Sequence, residues 1–443
     1  MKGVKIFFPA FITVLAMQLN VWAQSKTREA ALDFKDEYYN PDYFRYDNFI
    51  YSNKIKTVQL FPANNELGAP VIHLGSSEQL HLHFDEEEHQ FTQYAYTLIR
   101  CDWKWFPVDQ LPMEYLNGYA EDYIYNYSFS VNTSVPYTHY ELKFPTENMQ
   151  LKLSGNYVLI VYEKNKENPI LTRRFSICEP IADLKANIHQ ATIVEFMDFK
   201  QEVDFSLFLG NLNVTDPYNE LKITIQQNNR TDNKVMELKP IFVKGNELVY
   251  DQERLNLFWG NNEFRDLNIT NHRNYYDYTE KIYLDDSGLY HVFLKPQYSR
   301  SFLKYTSKPD INGNYVVNRE NALRDKNTEA DYVYVHFILK NDFPITNGQV
   351  YVFGTLSDWQ AKDDFKMKYN YDKQQYECTV LLKQGYYNYM FGVLEDNKKE
   401  FDFSYFEGSH WQTNNQYQID VYFVPNFNKT KYQLILSKTL PSN

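Results

Sequence analysis

The stretch "GNYVLIVYE", residues 155–163, decides the fold class of this chain. Six consecutive side chains in it, from Tyr157 to Tyr162, are apolar. A β-strand alternates its side chains between two faces, so a short run that is apolar on both faces is typical of a central strand buried on both sides. The sequence therefore predicts a strand in the middle of a β-sandwich.

Other strands show alternation. In "QLHLHF", residues 79–84, the side chains of Leu80, Leu82 and Phe84 face one way, and those of His81 and His83 face the other. We expect the first set to lie in a core and the two histidines to lie on the solvent face of the strand. "GLYHVFLKP" and "DYVYVHFILK" repeat the apolar strand pattern further along the chain, and turn-forming clusters separate these runs.

The composition also favours β-structure. The chain has 443 residues, with 39 Tyr, 32 Phe and only 15 Gly, and aromatic residues make up 17% of it. Tyr, Phe and Val favour pleated, half-buried surfaces. No long amphipathic helical period is present, and "LPMEYLNGYAEDY", residues 111–123, is the best candidate for a short helical turn or loop. The predicted class is all-β, with tandem β-sandwich, immunoglobulin-like domains.

The chain divides into four predicted segments. Residues 1–23 read as a signal peptide, and residues 24–180 as a first sandwich preceded by a Tyr-rich leader. A second sandwich is predicted over residues 181–330 and a third over residues 331–443. The first boundary follows "FSICEP", where Pro180 ends a strand pattern, and sandwich domains of about 100 residues match these lengths.

The N-terminus predicts export. Lys2 and Lys5 precede an apolar core at residues 6–19, and Ala23 offers a small residue for cleavage before Gln24. The net charge of −12 and the absence of a basic stripe argue against nucleic acid as a partner. No later apolar run is long enough for a transmembrane helix, so we expect no direct membrane insertion.

A histidine-acid stretch, "HLHFDEEEHQ", is the strongest candidate metal motif. His81 and His83 lie two apart on a strand, so their rings share a face, and His89 and the acidic residues 86–88 follow. Zinc ligation is geometrically conceivable, and a polar strand face followed by an acidic turn is the alternative. Spacing alone is weak evidence, so we expect no metal and no cofactor.

Other motifs give no catalytic signature. Asp310, Asn312 and Asn314 have calcium-loop spacing, but the Gly and the final Glu of an EF-hand loop are misplaced. Ser301 and Lys304 match a Ser-x-x-Lys spacing without its companion motifs. We therefore expect no catalytic residues and no enzymatic activity.

Three cysteines leave two alternatives open. Cys101 and Cys178 both fall near strands of the first domain, so a disulfide between them is one alternative, and buried free thiols are the other. With Cys378 the count is odd, which is not the pattern of a disulfide framework.

The third block resembles the glycogen-binding family of β-sandwich modules. Gly354, Asp358, Trp359 and a predicted hairpin at residues 385–389 carry the resemblance. In that family a tryptophan matching Trp359 stacks on sugar. The usual basic residue and the second tryptophan of the family are replaced, around Met390 and around Glu400 and Phe401 respectively. We therefore expect Trp359 to close the sandwich and expect no useful sugar affinity.

An ordered set of segments resembles the type IX secretion system plug proteins, once known only as a domain of unknown function. The resemblance covers nearly the whole mature chain and is carried in order by "KTVQLFP", "YTLIRCDWKW", "LPMEYLNGY", "VPYTHYELKFP", "SGNYVLIVYE", "NPILTRRF", "GNNEFRDL", "NGNYVVNRE", "DYVYVHFIL", "VYVFGTLSDW" and "FEGSHWQTNNQYQIDVYF". Any one of these segments would be weak evidence, whereas their order is specific.

The resemblance implies a non-enzymatic periplasmic role. Proteins of this family bind the periplasmic end of a giant outer-membrane β-barrel translocon, with about 36 strands, and close its pore at rest. The sequence assigns no residue to that contact. An exported glycan-binding β-sandwich protein is the alternative, and a metal-dependent hydrolase would need a third ligand beside His81 and His83. Tyr suits an interface that forms and releases.

The segment "SVPYTHYELKFP", residues 134–145, contributes to this aromatic surplus. Pro136 and Pro145 bracket a predicted strand, on which Tyr137 or Tyr140 should pack against the sheet.

Export can be checked on the protein recovered from cells. We expect a mature periplasmic protein that begins at Gln24, because the charged, apolar and small-residue regions of a signal peptide occur in order. Intact-mass analysis of the periplasmic fraction measures this. A retained N-terminus, or recovery only from the cytoplasm, would contradict it.

Overall fold

The computed structural model describes residues 44–442. The predicted signal peptide, residues 1–23, and residues 24–43 of the predicted leader lie outside the described residues. All sheets described below belong to one compact unit that begins at Tyr46. The structure is 45% strand and 5% helix, so the predicted all-β class with tandem sandwiches is confirmed.

The first sandwich is contiguous in sequence. Its main sheets have the orders β1–β12–β11–β5–β7 and β2–β4–β9–β8, with β3 parallel beside β12 and a small β6–β10 ribbon. The strands are β1 (Phe49–Ile50), β2 (Ile55–Pro62), β3 (Val71–His73), β4 (Leu80–Glu86), β5 (Ala95–Cys101), β6 (Leu116–Gly118), β7 (Glu121–Tyr123), β8 (Asn126–Phe129), β9 (Thr138–Phe144), β10 (Met149–Leu151), β11 (Gly155–Tyr162) and β12 (Pro169–Cys178).

Strand β11 is the predicted central strand. It lies between β12 and β5, and every one of its residues is buried. Tyr157, Leu159 and Val161 point into the first core. On the opposite face, Asn156 accepts a hydrogen bond of 3.1 Å from Tyr422 Oη. The second face of this strand is therefore covered, at Asn156, by a distant part of the chain.

The next seven strands begin the middle sandwich. One sheet has the order β13–β14–β18–β17, with β19 beside β14, and a second sheet contains β15 and β16. The strands are β13 (Asp183–Gln190), β14 (Lys200–Phe208), β15 (Leu221–Gln227), β16 (Val235–Met236), β17 (Phe242–Lys244), β18 (Glu247–Tyr250) and β19 (Leu257–Trp259).

The third sandwich follows within residues 265–395. Its sheets have the orders β20–β28–β23, with β25 beside β28, and β21–β22–β24–β27–β26. The strands are β20 (Arg265–Asn268), β21 (Thr279–Leu284), β22 (Tyr290–Leu294), β23 (Tyr315–Val317), β24 (Tyr332–Lys340), β25 (Gly348–Phe353), β26 (Lys368–Asn370), β27 (Gln375–Lys383) and β28 (Gly385–Glu395).

The last two strands return to the middle sandwich. They are β29 (Gln416–Phe423) and β30 (Gln433–Pro441), and β29 pairs with β15 along the whole length of β15. Ile419 and Ile435 accordingly pack in the same core as Ile223. The third sandwich is thus an insertion between the two parts of the middle one.

This topology differs from the predicted segments 181–330 and 331–443. The third core draws on residues 267–406 and therefore crosses the predicted boundary at residue 330. The physical reason is that side-chain alternation identifies strands, whereas a pairing between distant strands leaves no periodic signal in either of them.

The predicted hairpin at residues 385–389 is also wrong. Both of its strands exist, as β27 and β28, but β27 pairs with β24 and β26, whereas β28 pairs with β20, β23 and β25. The chain therefore crosses at Gly385 from one sheet of the sandwich to the other. A short link between two apolar strands is compatible with either arrangement.

Helices are short. They are α1 (Pro112–Tyr115), which lies in the segment predicted as a helical turn or loop, α2 (Pro217–Glu220) and α3 (Lys326–Glu329), with 3-10 turns at Thr355–Ser357, Asp363–Phe365 and Lys429–Lys431. Among residues 44–442, no helix is both long and apolar enough to cross a membrane.

The inserted topology makes a stability prediction. Ile419→Ala should lower the free energy of unfolding by about 2–5 kcal/mol, because Ile419 is fully buried in the middle core. Hydrogen exchange should accelerate most in β15, which pairs with β29. Exposed Thr439 on β30 supplies the control, since Thr439→Ala should change stability by less than about 0.5 kcal/mol. Exchange that accelerates first in β24 and β27 would contradict the topology.

Candidate functional site

A buried ion pair joins the first sandwich to the third. Lys383 Nζ, at the end of β27, lies 2.5 Å from Asp85 Oδ2 on β4, and both side chains are 1% exposed. Tyr332 Oη donates to the same oxygen at 2.6 Å, and His139 Nδ1 lies 2.6 Å from Asp85 Oδ1. We call the set Asp85, Tyr137, Tyr332 and Lys383 the Asp85 interface.

Electrostatics favours the charged form of Asp85. Burial alone would raise the pKa of this carboxyl, but the Lys383 ammonium and the hydrogen bond from His139 hold it below its ordinary value. Burial lowers the pKa of Lys383, and Asp85 opposes that change. The pair is therefore costly to bury and costly to separate.

The segment "SVPYTHYELKFP" supplies the rest of this interface. Tyr137 Oη donates to the carbonyls of Asn327 and Ala330, at 2.8 and 2.7 Å. The backbone N–H groups of Ser134 and Val135 donate to the Asp331 carboxylate. The aromatic, proline-bracketed strand thus docks one sandwich on another.

The predicted packing of this segment is confirmed for Tyr140. Its side chain is fully buried in the first core and stacks on Phe84 at 5.0 Å between ring centroids. Tyr137, which directly precedes β9, is equally buried but faces the other way and contacts Tyr332 of the third sandwich.

The turn that carries Trp359 takes part in the same docking. Arg173 Nη2 lies 3.2 Å from Asp358 Oδ1, and Lys362 also pairs with Asp358. Trp359 is 7% exposed and packs edge-on against Phe264 and Phe353. The indole face is therefore covered, which is the sandwich-closing arrangement, while the absence of sugar affinity stays a prediction.

A second interface joins the first sandwich to the middle one. Arg100 is 1% exposed, and it donates to the carbonyls of Ser154 and Tyr432 at 2.9 and 2.8 Å. Its guanidinium also lies 4.2 Å from the centroid of the Tyr432 ring. A side chain at Gly155 would meet that ring, since a Cβ there would lie 2.3 Å from Tyr432 Oη. We call Arg100, Ser154, Gly155 and Tyr432 the Arg100 interface. The close approach of the Tyr432 ring explains why β11 begins with a glycine.

Exposed aromatic rings cluster at one edge of the first sandwich. The rings of Phe91 and Tyr127 lie 4.6 Å apart, those of Tyr127 and Phe129 5.7 Å, and those of Tyr123 and Tyr125 6.3 Å. All five side chains are 39% to 69% exposed. They lie on or beside β7 and β8, which are the edge strands of the two sheets. We call this set the aromatic edge.

The aromatic edge has the features of a partner-binding surface. Exposed edge strands present unpaired backbone groups to a partner, and clustered exposed aromatic side chains mark interaction sites. Every residue of β8 is exposed.

A second apolar surface lies elsewhere. A half-open groove of about 650 Å³ is lined by residues that include Phe199, Trp259, Phe302, Leu303 and Tyr405. Trp359 does not line this groove, so the groove does not give that residue a sugar-stacking role.

The structure agrees with only part of the prediction for the strand that carries His81 and His83. Leu80, Leu82 and Phe84 are fully buried, as predicted. The rings of His81 and His83 share a face, with centroids 3.7 Å apart, but His83 is buried, so the predicted solvent face is wrong. The face is covered because it turns toward the third sandwich.

The other predicted ligands lie elsewhere. His89 contacts Phe129 and the Ser130 carbonyl, and Glu88 pairs with Lys54. His139 and Glu141 of β9 instead approach His83, with closest distances of 3.1 Å and 3.8 Å. We call His81, His83, His139 and Glu141 the histidine cluster. Burial, together with the other two histidines, lowers the pKa of His83 to about 3.

The structure also locates the three cysteines and Asp310, which the sequence analysis singled out. Cys101, Cys178 and Cys378 are free and buried, which decides between the two cysteine alternatives. Asp310 accepts one hydrogen bond from the backbone N–H of Asn312 in its own turn and another from the backbone N–H of the distant residue Phe264.

Sequence reasoning missed the ionic residues of both interfaces. Arg100 is the single charge near the end of the strand "AYTLIRC", and Lys383 follows the apolar run "VLL" at the end of "QYECTVLLK". The sequence signal for such an interface residue is a charged side chain whose neighbours along the strand are core residues on both faces. His139 and Glu141 have the same two-residue spacing as His81 and His83.

Comparison with known proteins agrees with this architecture. Residues 55–179 match the family model described as type 9 secretion system plug protein 1st domain. A crystal structure of a hypothetical protein from Parabacteroides merdae ATCC 43184, at 2.30 Å resolution, is 32% identical, with a TM-score of 0.86. That match covers 90% of this chain and 100% of the other. No curated protein matches the chain.

Two further structures match weakly. The C-terminal domain of the Streptococcus pyogenes antigen I/II-family protein AspA is 10% identical over 87% of this chain and 99% of that one, with a TM-score of 0.16. Dimeric latent PorU from Porphyromonas gingivalis is 10% identical over 88% of this chain and 34% of that one, with a TM-score of 0.14. Neither score supports an argument.

Three sandwiches joined by buried polar interfaces, with an exposed aromatic edge, define a rigid β-protein with a surface suited to a partner. The chain belongs to the type 9 secretion system plug protein family, as the resemblance predicted. Its role is therefore associated with type IX secretion in the cell envelope.

The Asp85 interface generates a stability prediction. Lys383→Met should lower the free energy of unfolding by about 3–5 kcal/mol, because it leaves the Asp85 carboxylate buried without its cation. The double variant with Asp85→Asn should recover part of that loss. Lys373→Met is the matched control, because Lys373 forms an exposed pair with Glu377 and should change stability by less than about 1 kcal/mol.

The pH dependence has a defined sign. Because the pKa of Asp85 is lowered in the folded protein, its stabilisation is present above about pH 4 and is lost as the pH falls through the folded-state value. Lys383→Met should move this acid transition to higher pH. Denaturant titrations at several pH values measure both effects, and equal losses for Lys383→Met and Lys373→Met would contradict the analysis.

Proposed function

We propose that the protein is a non-enzymatic periplasmic plug that binds the periplasmic end of the giant outer-membrane β-barrel translocon and closes its pore at rest. The observation that carries the proposal is the family match over residues 55–179, whose description is a plug domain of the type 9 system. The structural relative extends the likeness over 90% of the chain.

The rigidity of the folded body supports this role. A body that stops a wide aqueous lumen must keep its shape under contact on several sides. The Asp85 and Arg100 interfaces bury charged groups between sandwiches, and such groups tolerate little displacement, because separation would leave them unpaired in an apolar environment. Relative motion of the sandwiches is therefore opposed.

The aromatic edge supports a releasable contact. It lies within residues 91–129 of the matched domain, and its tyrosines combine apolar area with a polar hydroxyl. An interface of this kind is strong enough to form and wet enough to dissociate. We assign this edge to the contact with the barrel.

The glycan-binding alternative loses its main residue. It required an exposed aromatic platform around Trp359, and that side chain is buried between Phe264 and Phe353.

Deletion of the protein should leave the translocon assembled but leaky. An unplugged lumen admits molecules well above porin size, whereas loss of a glycan-binding protein would not alter permeability. Vancomycin sensitivity and dye uptake in the deletion strain measure this, and a second deletion, of the barrel, should abolish the leak. A single deletion as impermeable as wild type would contradict the proposal.

The contact surface can be tested in the same strain. Complementation with a Tyr125→Ser, Tyr127→Ser variant should restore impermeability only in part. Tyr371→Ser is the matched control, because Tyr371 is 75% exposed but belongs to the third sandwich. Barrel recovered in pull-downs should fall with the first variant only. If both variants behave equally, the aromatic edge is not the surface that contacts the barrel, and the deletion strain alone tests the plug role.

A further inference from the structure

The histidine cluster has the composition and arrangement of a metal site. Strands β4 and β9 are antiparallel neighbours, with His83 opposite Glu141 and Asp85 opposite His139. Because side chains alternate along a strand, His81, His83, His139 and Glu141 all lie on the face opposite the first core. We propose that these four side chains bind one divalent transition-metal ion of the zinc class.

The distances between donor atoms fit such an ion. His83 Nδ1 lies 3.1 Å from His139 Nε2 and 3.8 Å from Glu141 Oε1. His139 Nε2 lies 3.5 Å from Glu141 Oε1, and His81 Nε2 lies 3.5 Å from Glu141 Oε2. A tetrahedral zinc ion with bonds of about 2.0–2.2 Å places its ligand atoms about 3.3–3.6 Å apart. These four separations lie near that range.

His81 supplies a second, independent observation. Its Nε2 atom is buried and makes no close hydrogen bond, and its nearest charged neighbour, Glu141 Oε2, lies 3.5 Å away. A buried polar atom without a partner is unfavourable, and a metal ion would satisfy it. The donor atoms of His81, His83 and Glu141 all lie within 4.8 Å of one another.

Asp85 orients the fourth ligand. It faces His139 Nδ1 at 2.6 Å, so a neutral His139 donates from Nδ1 and turns Nε2 toward the cluster. A carboxylate behind a ligating histidine is the arrangement that fixes ring orientation in metal sites. Asp85 in turn is held by Lys383 and Tyr332, so the site is connected to the Asp85 interface.

Four protein ligands leave no open position for a reacting water, so the ion is structural. It would hold β4 to β9 beneath the third sandwich, and Glu141, whose side chain is 32% exposed, marks the route of entry. In the sequence, the candidate ligands beside the two histidines were the acidic residues that follow His83, and no metal was expected. The pairing of β9 with β4 instead supplies His139 and Glu141. This proposal does not depend on the plug role.

The test uses the untagged mature protein, stripped with chelator, because a histidine tag would itself bind metal. Titration calorimetry with zinc should show one equivalent bound with a Kd below about 1 μM. Co²⁺ should give the visible absorption of a tetrahedral site. The melting temperature should rise with zinc and return to the stripped value with chelator.

Variants distinguish the site from adventitious binding. His83→Asn should weaken zinc binding at least 100-fold, and Asp85→Asn should weaken it about 10–100-fold. His336→Asn is the matched control, because His336 pairs with His291 at 2.9 Å on the third sandwich and should leave binding unchanged. If the His83→Asn variant does not fold, the Glu141→Gln variant replaces it in the test, because the Glu141 side chain is partly exposed. The proposal is overturned if the stripped protein binds no zinc, or if His336→Asn removes the binding and the cluster variants do not.

Discussion

The buried pair of Asp85 and Lys383 is the interaction on which the shape of the molecule depends. Each charge lies near the end of a strand in a different sandwich, and neither reaches solvent. Such a pair contributes little net stability compared with two apolar residues, but the loss of one partner is expensive. It therefore acts mainly on specificity, because only one relative position of the two sandwiches places the ammonium, the Tyr332 hydroxyl and the carboxylate within hydrogen-bond distance.

Tyrosine has two separate uses in this structure. Tyr137 and Tyr432 lie inside the interfaces, where each hydroxyl bonds to backbone groups and each ring covers a buried cation. Tyr125 and Tyr127 lie at the aromatic edge and are exposed. The same side chain thus holds the sandwiches together inside the protein and offers a surface to a partner outside it. The high aromatic content is divided between these two uses and the cores.

Sequence patterns predicted the structure correctly where the whole pattern lies within one segment of the chain. The apolar run of β11 and the alternation in β4 predicted strands and core-facing residues correctly, because each pattern is contained in one segment. The pairing of β15 with β29 and the separation of β27 from β28 were not predictable, since a strand does not encode its partner. The outer face of β4 was misjudged for a related reason. His83 is polar, yet it is buried on the strand face that, at Asp85, meets a sandwich beginning far along the chain.

The return of β29 and β30 to the middle sandwich imposes an order on folding. The first sandwich is contiguous, so it can form as soon as its last strand has emerged from the ribosome or from a translocation channel. The middle sandwich cannot close until residue 441 is present, and until then β15 keeps an open edge toward the solvent. Long-range pairing of this kind is slow, and it exposes an unpaired strand in the meantime. Recombinant fragments should therefore be designed around the insertion, with residues 181–260 joined directly to residues 413–443, and not cut at successive positions along the chain.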